Sequence, residues 1–123
     1  MKLRIYDDSI RLRLTQSEVA QIARGAQVES VCRFPGGATL SYALIVADTR
    51  TMNARFAGER IEVVLPRDRA TEWATGIDVS LHSDKRDNGV LDILVEKDFA
   101  CLEPRDADDD TDRYPNPHAQ PKA

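Results

Sequence analysis

Three arginines, Arg4, Arg11 and Arg13, stand at spacings that bring guanidinium groups side by side if the chain around them is extended. Arg11 and Arg13 are two positions apart, so both project from one face of a strand. Arg4 falls opposite them if Asp7-Asp8 turns the chain back on itself. A guanidinium presents a planar fork of donors that fits a carboxylate or a phosphate bidentately. Three of them on one sheet face therefore read as a candidate anion-binding surface. The plainer reading is a solvated face whose arginines pair with Asp and Glu on neighbouring strands. A second candidate is Arg67 with Arg69, at a helix start where backbone amides face outward. Asp68 between them offsets part of that charge, and the matching place earlier in the chain holds Glu18.

Other chemistry lacks its residues. The available metal ligands are His82, His118, Cys32, Cys101 and the aspartates near the C-terminus, and none forms a Cys-x-x-Cys, His-x-x-x-His or Glu-x-x-His spacing. Asp106 to Asp112 lacks both the glycine and the closing glutamate of a calcium loop. There is no Gly-x-Ser-x-Gly elbow. Cys32 precedes Arg33, which favours a thiolate, but no His is near in sequence, and a strand cysteine usually packs. Pro35-Gly36-Gly37 is a turn before it is a phosphate loop. No catalytic residue, metal or cofactor is assigned, and the balance leans away from an enzyme.

Composition bounds the partners. The chain has 123 residues, 41% apolar and 31% charged, which suits one domain with a real core. The net charge of −4 is uneven. Residues 1–101 carry 14 basic and 15 acidic side chains, and residues 102–123 carry 3 and 6. A near-neutral body argues against non-specific nucleic-acid binding, which needs a strong positive field. The N-terminus runs straight into Lys2-Leu3-Arg4-Ile5 with no apolar leader, and no run approaches a membrane span of about 20 residues. A cytoplasmic protein with two free thiols is expected.

The elements that position the arginines follow from the pattern. Lys2 to Tyr6 alternates as a strand, Asp7-Asp8 turns, and Ser9 to Leu14 returns with Ile10, Leu12 and Leu14 on one face. Thr15-x-x-Glu18 is a capping box, followed by a helix from about Gln16 to Arg24 with Val19, Ile22 and Ala23 as its stripe. Gly25 suits a left-handed C-terminal cap. Gln27 to Phe34 and Thr39 to Ala47 read as strands, the second apolar on both faces and so central. Asn53 to Phe56 and Arg60 to Leu65 are strands; Pro66 opens a helix with Ala70, Trp73 and Ala74 inward and Gly76 at its end. Ile77 to Leu81, an Asn88-Gly89 turn and Val90 to Lys97 complete the order. Asp98 to Leu102 reads as a closing segment that tucks Phe99 and Cys101 against the body. Residues 103–123, rich in Asp and Pro, read as a tail outside the core.

The halves align without a gap at an offset of 51: Arg4 with Arg55, Ile10 with Ile61, Leu14 with Leu65, Gly25 with Gly76 and Leu40 with Leu91. Two ββαββ units, 1–50 and 52–101, are expected. The fold class is α+β: an antiparallel sheet or partly closed barrel of about eight strands, with two helices packed on it and residues 1–102 as one domain.

Two resemblances accompany this reading. Ser-Ile-Arg-Leu-Arg-Leu-Thr-Gln-Ser-Glu-Val from Ser9, Glu-Lys-Asp-Phe-Ala-Cys-Leu from Glu96 and Tyr-Pro-Asn-Pro from Tyr114 resemble a family of small bacterial proteins of unknown function, over nearly the whole chain. That resemblance implies no activity. The ββαββ order, with Arg60-Ile-Glu-Val-Val-Leu-Pro66 entering a helix, resembles the swapped-hairpin barrels of AbrB-type and MraZ-type DNA-binding proteins, in which two units interlock. It implies DNA binding, against a body that is not basic, a Thr15 where the second unit has Pro66, and longer helices. The reading of the residues themselves is a non-enzymatic binding or interaction module with Arg4, Arg11 and Arg13, or the acidic tail, as contact surface. The partner is a protein or an anionic small molecule. The alternatives are a swapped-hairpin DNA-binding protein and an enzyme acting on an anionic small molecule.

Overall fold

The computed structural model of the chain describes residues 1–83 and 89–98. The Asn88 part of the last turn, the segment 99–102 with Phe99 and Cys101, and the tail with His118 lie outside the described residues.

The first half follows its pattern closely. Strands β1 (Lys2–Tyr6) and β2 (Ser9–Leu14) form a hairpin across Asp7, whose φ of 47° is the left-handed conformation that Asp tolerates in turns. Helix α1 (Gln16–Ala23) starts at Thr15, whose hydroxyl accepts from the Glu18 amide while the Glu18 carboxylate accepts from the Thr15 amide at 2.9 Å. This is the reciprocal capping box expected from the sequence. Gly25, with φ 79°, closes the helix and donates to the Ile22 carbonyl at 2.9 Å. Strands β3 (Val28–Arg33) and β4 (Thr39–Ala47) follow, joined through a single 3-10 turn at Pro35–Gly37.

The second half repeats the order with corrections at its ends. Strands β5 (Asn53–Ala57) and β6 (Arg60–Pro66) lead into helix α2 (Arg67–Thr75). Pro66 is not in the first helical turn: at φ −60° and ψ 136° it stays extended, pairs as the last residue of β6 and caps the helix from outside. Gly76 ends α2, and a Cβ there would come within 2.7 Å of the Glu72 carbonyl oxygen, so only glycine fits. The next strand is shorter than the apolar run implies: β7 is Ser80–Ser83, and Ile77 is 96% exposed in the connection. The Val79 carbonyl accepts both from the Trp73 indole N–H at 3.0 Å and from the Lys97 amide at 3.0 Å, and residue pairing starts at Ser80. Strand β8 (Asp92–Lys97) likewise starts two residues later than its apolar pattern.

The sheets differ from the single antiparallel sheet or partly closed barrel expected. There are two four-stranded mixed sheets, ordered β1-β2-β8-β7 and β3-β4-β6-β5. Each helix carries the chain from one sheet to the other, so the inner strand of each first hairpin is completed by a strand from the other half. Thus β2 pairs with β8 in parallel, and β4 with β6 in parallel, while every hairpin is antiparallel. Each sheet joins the first hairpin of one half to the second hairpin of the other, without closure into a barrel.

The registers recur at the 51-residue offset. Ser9 pairs with Asp92, and Arg60 with Ser41; Lys2 pairs with Arg13, and Asn53 with Val64. The Asp92 amide donates to the Asp8 carbonyl at 2.9 Å, and the Ser41 amide to the Glu59 carbonyl at 3.0 Å. The second hairpins depart from this by two residues: Glu29 pairs with Ala43, but Ser80 pairs with Glu96. An even shift keeps the same side chains inward.

Between the sheets lies one core. Leu12, Leu14, Val28, Leu44, Val63, Leu65, Ile93 and Val95 come from the strands, and Val19, Ile22, Ala70 and Trp73 from the helices. Each buried Leu, Ile or Val side chain contributes about 1.5–3 kcal/mol. The helices contact each other and cover the Leu14 and Leu65 ends of the strands. The turn ends, at Asp7-Asp8 and Gly58-Glu59, are left open. No described helix is long and apolar enough to cross a membrane.

Candidate functional site

The hairpin β1–β2 brings the three arginines together as expected. Arg4 and Arg11 are direct cross-strand partners, and Arg13 is the next outward residue along β2. With Lys2 and Leu3 they line a groove of about 170 Å³ on the outer face of the first sheet. Glu96, opposite Arg13 on β8, accepts from Arg13 Nε at 3.1 Å, and the same oxygen lies 3.8 Å from Arg11 Nε. Lys2 Nζ is 3.4 Å from Asp98. Arg4 has no acidic partner among the described residues. Four cations (Lys2, Arg4, Arg11, Arg13) therefore meet two carboxylates (Glu96, Asp98), a local surplus of +2.

The second sheet shows what the same scaffold does without such a surplus. At the place of Arg4 stands Arg55, and at the place of Arg11 stands Glu62, so the cross-strand pair is complementary. Arg55 Nε donates to Glu62 at 2.7 Å, Arg60 Nε donates to the other Glu62 oxygen at 2.8 Å, and Arg60 also pairs with Glu29. Two arginines and two glutamates span the sheet, above Ala43, the register partner of both Glu29 and Glu62. The Arg60 and then the Arg55 guanidinium hold the Glu62 carboxyl below its ordinary range, and Glu29 and Glu62 raise Arg60. Like charges directly opposite on a sheet are unfavourable. The hairpin β1–β2 carries two such pairs, Arg4 facing Arg11 and Lys2 facing Arg13, and of these four cations only Arg4 has no acidic partner among the described residues.

Arg67 and Arg69 are not brought together. Arg67 Nε donates to Asp48 at 2.8 Å, and Arg69 reaches the His82 carbonyl at 3.4 Å. Elsewhere the polar groups serve the frame. The Met1 ammonium donates to Glu18 at 2.6 Å, and the Tyr42 hydroxyl donates to the Met1 carbonyl at 3.1 Å. Burial pushes the Glu18 carboxyl up, but the ammonium and the Thr15 amide outweigh it and leave the group lowered. Cys32 is a free, exposed thiol, and no described cluster of His, Cys, Asp and Glu is arranged to hold a metal.

A second concave feature has no counterpart in the sequence reading. At the open turn ends, Ile5, Ile10, Leu40, Ala54, Phe56, Ile61 and Leu91 line an apolar cleft of about 490 Å³, with Asp7 and Arg55 at its lips. Six of these residues are three pairs at the same offset: Ile5 with Phe56, Ile10 with Ile61, Leu40 with Leu91. Ile5 is 56% exposed and Phe56 69% exposed. Of these residues the alternation puts Ile10 on an apolar strand face, and that the turn ends stay uncovered is a tertiary property that no local signal carries.

Fold and site define an α+β protein of two mixed sheets with crossed hairpins, two helices at one end, an unbalanced arginine face and an apolar mouth. The chain belongs to the Family of unknown function (DUF7009), which it matches over residues 1–118. No curated protein and no solved structure matches it.

Proposed function

We propose that this protein is a non-enzymatic binding module whose contact surface is the face of Arg4, Arg11 and Arg13, and whose partner presents a phosphate or carboxylate. The observation that carries this reading is the cross-strand pair Arg4–Arg11, set where the second sheet has the complementary pair Arg55–Glu62. An anion lying between Arg4 and Arg11 supplies the missing negative charge, with Arg13 as a third donor. The test is a thermal-shift and calorimetric titration with inorganic phosphate, pyrophosphate and succinate at low ionic strength, where exposed charges are least screened. A saturable rise in melting temperature for at least one anion, lost in Arg4→Gln and Arg11→Gln, supports the reading; no stabilisation by any of them overturns it.

A second reading, DNA binding, is favoured by one observation, the crossed hairpins of the two halves. A gel-shift titration at low salt decides it: no shift at micromolar protein removes it. The same crossed registers support reading the chain as two copies of one ββαββ unit, 1–50 and 52–101, of which the first acquired the arginine face. Residues 1–102 are then the folding unit, and 103–123 an acidic appendage to it.

A further inference from the structure

We propose that the apolar mouth between the sheets is a binding site for a small organic cation, an apolar body bearing an ammonium group, held with its charge at Asp7. The cleft volume of about 490 Å³ falls in the range of small-molecule sites. Its floor is apolar and follows the two-fold correspondence, so the floor alone gives an occupant no direction. The lips do. Asp7 lines both this cleft and an adjoining polar hollow formed by Tyr6, Asp8, Ser9 and Asp92. The Asp92 amide bonds to the Asp8 carbonyl, which fixes β8 against this turn. None of Asp7, Asp8 and Asp92 pairs with a cation among the described residues.

At the matching positions 51 residues away stand Ala57, Gly58, Glu59 and Ser41, which lack the aromatic ring and all but one carboxylate. The acidic lip is thus a property of one side only. Three carboxylates and the exposed Tyr6 ring around the end of an apolar cleft complement a diffuse cation, through charge and through the ring face. They are not arranged as a metal-ligating group. An organic cation with an apolar tail fits both halves of the feature at once: the tail covers Ile5, Phe56 and Leu91, and the head stands at Asp7. These observations do not involve the arginine face, so either proposal stands or falls without the other.

The experiment is an amide-resolved NMR titration of the full chain with hexyltrimethylammonium, hexanoate and tetramethylammonium as probes. The expected result is saturable shifts at Ile5, Ile10, Phe56 and Leu91 with hexyltrimethylammonium, and affinities at least about tenfold weaker for hexanoate and for tetramethylammonium. Asp7→Asn and Asp92→Asn together are expected to weaken hexyltrimethylammonium about tenfold, from two partly exposed ion pairs. Asn accepts the left-handed conformation at position 7, and an unchanged spectrum of the free variant confirms its fold. Equal binding of hexanoate, equal binding of tetramethylammonium, or no saturation by about 10 mM (a bound of about 3 kcal/mol) overturns the proposal.

Discussion

Replacing Arg4 by Glu reproduces on the first sheet the arrangement already present on the second. The new carboxylate would face Arg11 as Glu62 faces Arg55, and Arg13 would keep Glu96. The substitution removes an unfavourable like-charge pair and adds a favourable opposite pair, each worth roughly 0.2–1 kcal/mol between strands. The side chain at position 4 is exposed, so no packing is lost. A net gain of about 1 kcal/mol is expected, which raises the melting temperature of a domain of this size by about 4–8 °C. The surplus on the face falls from +2 to zero, because the residue counts change from four cations and two carboxylates to three and three. Anion binding should then weaken at least about tenfold, since a charge-assisted hydrogen bond of about 1.5–3 kcal/mol is replaced by repulsion. Differential scanning calorimetry and pyrophosphate calorimetry on one preparation read both effects. Stability and binding move in opposite directions if Arg4 is held against Arg11 for a ligand. A variant that melts lower, or that melts higher and still binds pyrophosphate as before, refutes the reasoning.

Other outcomes follow from the same geometry. Glu96→Gln leaves Arg11 and Arg13 without their carboxylate, so pyrophosphate should bind severalfold more tightly while stability drops by about 0.5–1 kcal/mol, both measurable by calorimetry. Thr15→Ala breaks the capping box at the start of α1 and should cost about 1 kcal/mol in urea denaturation. Glu18 and Glu62 both titrate below the ordinary glutamate value of about 4.3 in the folded chain. Their contribution to stability is therefore complete above that value and is lost as pH falls through their lowered folded values, which acid unfolding followed by circular dichroism would show as a loss starting below about pH 4.3. Truncation after Leu102 should leave the melting temperature and the anion affinity unchanged.

The local elements were legible because their signals are local. The alternation of Ile10, Leu12 and Leu14, the Thr15–Glu18 box, the Val19/Ile22 and Ala70/Trp73 stripes and the glycines at 25 and 76 each act within a few residues. The 51-residue offset foresaw matching strand and helix positions, and the facing of Arg4 and Arg11 followed from a two-residue turn. What escaped was decided at long range. The pairing of β2 with β8 joins residues 83 apart, Ser9 and Asp92, and neither strand carries a mark of its parallel neighbour. Ile77 belongs to an apolar run yet is left in solvent, because the long-range register with β8 starts pairing only at Ser80. The mouth residues Ile5, Phe56 and Leu91 obey the same alternation as the core, so nothing in their spacing distinguishes an uncovered end from a covered one.

The most direct test of the arginine face is an NMR titration with pyrophosphate that follows the side-chain Nε–H signals of each arginine. Saturable shifts at Arg4, Arg11 and Arg13, with Arg55, Arg60 and Arg67 unmoved in their pairs with Glu62, Glu29 and Asp48, are the expected result. Shifts spread evenly over all the arginines without saturation would contradict it.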